Sequence, residues 1–102
     1  MAEFVKVASR SELPGEGEAK EFALGARVIC IACLNGEYAA LDNVCCHQGG
    51  PLGQGMVEDG YLVCPWHGWQ FDLKTGVPLQ NSSDKVDLYP IKIVGEDVLV
   101  ET

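Results

Sequence analysis

Lysine and arginine are missing from the middle of this chain: none falls between Arg27 and Lys74. Over all 102 residues there are 7 bases against 15 acids, a net charge of −8. That balance excludes nucleic acid and anionic membranes as partners on electrostatic grounds. Glu37, Asp42, Glu58, Asp59 and Asp72 lie inside the base-free stretch. Such a stretch reads either as a solvated acidic surface or as an acidic docking face for a basic partner. Long hydrophobic runs are also lacking, and none approaches the roughly 18 residues that cross a bilayer. The opening Met1-Ala2-Glu3-Phe4-Val5-Lys6 has no charged region followed by an apolar one, so no secretory leader is expected. These absences predict a cytoplasmic protein without a membrane partner. In that compartment five cysteines point to a metal site more than to disulfides.

Helical periodicity is absent as well; no window sustains a 3.6-residue repeat for three turns. What is present is a series of short runs rich in β-branched and aromatic residues: Phe4 to Val7, Glu21 to Leu24, Arg27 to Cys33 and Tyr38 to Leu41. Tyr61 to Val63, Trp69 to Leu73, Val86 to Tyr89, Ile91 to Val94 and Val98 to Val100 continue the series. Asn35-Gly36 and Asp59-Gly60 are tight-turn signals, because both positions of each pair tolerate positive φ. Further turns are expected at Lys74-Thr75-Gly76 and Gly95-Glu96-Asp97. The pattern predicts an all-β sandwich or small barrel, and the length allows one domain, residues 1–102, around one main core.

Two stretches break the strand pattern. They are Cys45-Cys46-His47-Gln48-Gly49-Gly50-Pro51-Leu52-Gly53 and Cys64-Pro65-Trp66-His67-Gly68-Trp69. Histidine is scarce, with two in the whole chain, and both sit here beside a cysteine. One pair reads Cys-x-His (Cys45, His47) and the other Cys-x-x-His (Cys64, His67), with 16 residues between them. Two thiolates and two imidazoles suit tetrahedral zinc, although zinc sites more often start with a Cys-x-x-Cys knuckle. They also suit a binuclear iron centre, in which both cysteines bind one iron and both histidines the other. Each loop then supplies one ligand to each iron, which explains two similar Cys/His loops better than zinc does.

The two loops, with Gln70-Phe71-Asp72 and Thr75-Gly76 after the second, resemble the bacterial Rieske ferredoxins that serve aromatic-ring dioxygenases. The resemblance implies a Rieske fold of three antiparallel sheets: a β-sandwich base with a two-loop cluster-binding tip over about residues 43–73. It implies one 2Fe–2S cluster held by Cys45, His47, Cys64 and His67, with the histidine edge near solvent. It further implies a monomer when free that carries single electrons from a flavin-containing reductase to a terminal oxygenase, with no chemistry of its own. The small Rieske subunit of a nitrite reductase is the alternative, and a zinc-stapled interaction domain a more distant one.

A high-potential branch of the same family carries an extra, disulfide-linked cysteine in each loop, and a serine and a tyrosine that donate hydrogen bonds toward sulfur. The corresponding residues here are Gly50 and Trp66, and Trp69 and Phe71, so a low-potential cluster is expected. Many relatives also cover the cluster with a third, proline-containing loop. The positional candidate is 79–84, whose nearest proline is Pro78. Cys30 and Cys33 lie three apart in an expected strand and should point to opposite faces as buried thiols. Cys46, Trp66 and Trp69 are expected to pack around the loops.

Overall fold

The computed structural model describes residues 3–45, 49–66 and 68–101. Among them are ten strands and two short 3-10 turns, Arg10–Glu12 and Leu52–Gln54. The strands are β1 (Phe4–Ser9), β2 (Ala19–Leu24), β3 (Arg27–Leu34), β4 (Glu37–Asp42) and β5 (Met56–Glu58), then β6 (Tyr61–Val63), β7 (Gln70–Asp72), β8 (Leu88–Tyr89), β9 (Ile91–Val94) and β10 (Asp97–Glu101). They form three antiparallel sheets ordered β1-β10-β9, β2-β3-β4-β8 and β5-β6-β7. The all-β, three-sheet expectation therefore holds. β5 alone was not expected: its Met-Val-Glu, exposed on both sides of a half-buried Val57, lacks the run of β-branched and aromatic residues that marks the others.

The β2-β3-β4-β8 sheet lies in the middle and is buried on both faces. Ile29, Ile31 and Ala40 pack with Phe22, Val98 and Val100 against the β1-β10-β9 sheet. Cys30, Ala32 and Leu41 point the other way, into a second core with Leu52, Leu62 and Phe71. This two-sided burial explains why Ile29 to Cys33 is an unbroken buried run instead of an alternating one. Burying each large apolar side chain in such a layer contributes about 1.5–3 kcal/mol.

Both expected two-residue hairpins form. Asn35 and Gly36 take φ of 55° and 77° between β3 and β4, and Asp59 and Gly60 take 52° and 84° between β5 and β6. Positive φ at both positions is the type I′ geometry whose twist matches the flanking strands. The second hairpin directs β6 back toward Cys64.

Candidate metal centre

The two ligand loops are built alike. The first is pinned at its ends by an antiparallel bridge between Val44 and Pro51. Inside it the Cys45 N–H donates to the Gly50 carbonyl at 2.9 Å, and the Gly49 N–H donates to the Cys45 carbonyl at 2.8 Å. In the second loop the Cys64 N–H donates to the Trp69 carbonyl at 2.8 Å, and the Gly68 N–H to the Cys64 carbonyl at 3.0 Å. Each cysteine thus bonds to the residues four and five positions on. The nearer of these is a glycine in the left-handed region, φ 76° at Gly49 and 71° at Gly68, where any side chain is strained.

Gly50 brings the loops together. A β-carbon added there would lie 2.8 Å from the Cys64 Sγ and 3.0 Å from the Trp66 Cγ. Gly50 therefore touches Cys64 while its carbonyl accepts from Cys45. Both cysteines are buried in the core of Leu52, Leu62 and Phe71. The same added carbon would be 3.2 Å from the Trp66 Cβ, short of the roughly 3.5–4.5 Å of a disulfide's β-carbons. Positions 50 and 66 are thus true neighbours, as the pairing in the high-potential branch implies, but here they hold a glycine and a tryptophan. His47, His67 and Cys46 lie outside the described residues.

Trp66 packs over Gly50 yet is 58% exposed, and Trp69 packs partly buried against the inner core. Phe71 is fully buried. Cys30 and Cys33 are both buried, Cys30 in the core that holds Cys45 and Cys64, while Cys33 approaches Glu16 Oε1 at 3.8 Å. Burial, with the Glu21 charge second, pushes the Cys30 thiol from its ordinary 9.0 up to about 12. It stays a neutral thiol, unsuited to be a ligand. Pro78 is buried and bridges Phe71. Beyond it the Leu79 N–H donates to the Gln70 carbonyl at 2.9 Å, and the Gln80 Oε1 accepts from the Gln70 N–H at 3.0 Å. Pro78, the proline nearest the expected cover segment, thus lies where residues 77–80 are attached to β7, next to the second loop.

The base-free stretch does not form a single acidic face. Asp59 and Asp72 share a shallow cleft with Leu34, Leu73 and Lys74, and Glu37 lines the adjoining one, also beside Lys74. Asp42 shares another cleft with Arg27 and Val44. Only Glu58 borders a groove with Cys64, Pro65 and Met56. Glu58, Asp59 and Asp72 lie at the turn end of the small sheet, where Glu58 pairs with Tyr61 and Tyr61 with Asp72, whereas Glu37 and Asp42 end β4 of the middle sheet.

The thiol chemistry and its cradle fit a 2Fe–2S cluster. The thiols come one from each of two matching turns, and the space between the turns admits no β-carbon. Residues 3–98 match the model of the Rieske [2Fe-2S] domain family. The chain belongs to that family. Its cofactor is accordingly one Rieske-type 2Fe–2S cluster. The ferredoxin component of the alkene monooxygenase system of Xanthobacter autotrophicus is 32% identical over 101 residues, 98% of this chain and 82% of that one. The biphenyl dioxygenase ferredoxin subunit of a Pseudomonas strain is 35% identical over 100 residues, covering 96% and 91%. In fold, this Rieske protein also matches a putative NADH-dependent nitrite reductase small subunit from Mycobacterium tuberculosis, at a TM-score of 0.87 and 18% identity over 100% and 96% of the two chains.

A polar link between this site and the base was not legible in the sequence. Asn43, just before the first loop, donates through Nδ2 to Glu21 Oε2 at 2.7 Å and accepts the Gly53 N–H on Oδ1 at 2.7 Å. Asn43 reads as an ordinary turn residue, and nothing in its spacing points to Glu21 on β2. Among the described residues no helix is long and apolar enough to cross a membrane.

Proposed function

We propose that this Rieske protein is a low-potential one-electron carrier between a flavin-containing reductase and a terminal oxygenase, with Cys45 and Cys64 binding one iron and His47 and His67 the other. The unit over about residues 43–73 is the part that carries the cluster, inserted into the β base. The observation that supports the reading best is the meeting of the loops at Gly50: of two matched, buried cysteines, Cys45 donates its N–H to the Gly50 carbonyl and Cys64 brings its Sγ against Gly50, beside the exposed Trp66. When bound, the cluster supplies a single reversible electron step. The chain's own residues do the rest. The backbone turns hold the two sulfurs, and the core of Leu52, Leu62 and Phe71 keeps water from their inner side. Relatives named as ferredoxin components of oxygenase systems support the same assignment. The reading as a nitrite reductase small subunit predicts tight association with a large partner, whereas a carrier runs as a free monomer in size-exclusion chromatography.

Potential is the first test. Neither Trp69 nor Phe71 carries a hydroxyl, and Phe71, sealed in the core, has no donor to offer toward sulfur. Fewer donors leave the added electron less stabilised. The midpoint in a redox titration is expected near the bottom of the Rieske range, about −150 mV. Phe71→Tyr should raise it, the new hydroxyl donating to a cysteine sulfur. A wild-type midpoint above roughly +150 mV would overturn the low-potential reading.

Electron transfer is the second. Val44, Met56 and Trp66 are exposed apolar residues around the loops, with Glu58 at the groove beside Cys64. Long-range attraction acts mainly on association and weakens as salt shortens the screening length. In stopped-flow mixing, reduction by the flavin reductase should slow with ionic strength. Glu58→Lys should slow it several-fold at low salt, and Asp59→Lys, beside Lys74 at the hairpin turn, should change it little. Equal rates for Glu58→Lys and wild type would remove electrostatics from docking.

A further inference from the structure

We infer that Glu21, on β2 of the base and outside both ligand loops, is a positioning residue for the first loop: its carboxylate accepts the amide hydrogen bonds of Asn43 and Gln54 and so fixes the segment that presents Cys45. The inference rests on the proposed ligand set.

Asn43 and Gln54 stand at the two ends of the loop, and both reach the same side chain. The Asn43 Nδ2 donates to Glu21 Oε2 at 2.7 Å, and the Gln54 Nε2 donates to Oε1 at 3.3 Å. Asn43 is 6% exposed, the one buried polar side chain among the described residues. Its other atoms are spent on the loop: Oδ1 accepts from the Gly53 N–H at 2.7 Å, and its carbonyl from the Leu52 N–H at 2.8 Å. The loop is also pressed onto β2, for a β-carbon added at Gly53 would fall 2.4 Å from the Glu21 Cγ. Removing the carboxylate leaves a buried amide without its acceptor, which disfavours this loop position.

The carboxylate also faces the cluster side. Glu21 pairs with Cys30, and Cys30 with Leu41, and directly paired residues share a face. Cys30 and Leu41 line the core that contains Cys45 and Cys64, and the Glu21 charge adds to the burial that raises the Cys30 thiol. A fixed negative charge on that side opposes an added electron. Glu21 therefore has two separable effects, one on how long the cluster is retained and one on potential.

The experiment uses the holoprotein and four variants: Glu21→Leu, Asn43→Ala, the double variant and Glu21→Gln. Cluster loss is followed by visible absorbance in excess EDTA, and the midpoint by redox titration. Glu21→Leu and Asn43→Ala should each speed loss about tenfold, and the double variant no more than either, because both break one link. Glu21→Gln keeps an acceptor for Asn43 and should retain most of the lifetime. Lacking the charge, it should raise the midpoint by about threefold in the one-electron equilibrium, about 28 mV at 59 mV per decade. Effects that multiply in the double variant, or a Glu21→Gln midpoint equal to wild type, would overturn the inference. If Glu21→Leu does not assemble, Asn43→Ala and Glu21→Gln still decide both points. Cys45→Ala is run in parallel. A normal cluster in it sinks the ligand assignment, whereas its loss beside wild-type behaviour in the Glu21 and Asn43 variants sinks this inference alone.

Discussion

Alanine at Cys45, His47, Cys64 or His67 is expected to yield a colourless protein, with iron and acid-labile sulfide falling from two of each per chain to near zero. In the proposed ligand set the four donors serve one cluster, so no single loss is made good by the others. Among the described residues Cys30 is the other thiol in the core that holds Cys45 and Cys64, but burial holds it neutral, pushed up to about 12. Cys30→Ala and Cys33→Ala should therefore keep the wild-type absorption spectrum. Metal binding is coupled to folding, and the ligand variants should also melt at lower temperature than the holoprotein. Amide exchange at Gly49 and Gly68, whose N–H groups close the two turns, should become faster. Loss of colour in Cys30→Ala or Cys33→Ala would show that a β3 thiol reaches the metal.

Gly50→Ala is expected to have the next largest effect. Its new β-carbon would meet the Cys64 Sγ at 2.8 Å and the Trp66 Cβ at 3.2 Å, closer than real side chains pack. Trp66 is exposed and can move. Cys64 cannot yield freely, because its N–H and carbonyl are both tied into the second turn. The strain is expected to cost about 1–3 kcal/mol, the usual range for an overpacked site. It would appear as a lower melting temperature of the holoprotein and faster cluster loss to a chelator. Pairing Gly50→Ala with Trp66→Ala removes the Trp66 Cγ, which the new β-carbon would meet at 3.0 Å, and should recover part of the stability. A melting temperature and iron content equal to wild type would mean that the two loops do not meet at Gly50.

What the sequence determined by itself was the part governed by short-range chemistry. Cys45 with His47 and Cys64 with His67 stand out because soft metal donors at such spacing have few other uses. Asn35-Gly36 and Asp59-Gly60 specify their turns because positive φ is a local property, and both turns form as expected. Strands of four or more residues declared themselves through composition. Only the tertiary structure decided the rest, and each case depends on residues far apart in the chain. β5 has no pattern of its own and is defined by pairing with β6. The acids between Arg27 and Lys74 share one base-free stretch but line separate clefts, because Glu37 and Asp42 stand on β4 of the middle sheet and Glu58, Asp59 and Asp72 on the small sheet. The approach of Gly50 to Cys64, and the links from Glu21 to Asn43 and Gln54 across 22 and 33 residues, arise where a loop is packed onto a sheet. Side chains there are selected by distance in space, which no spacing along the chain encodes.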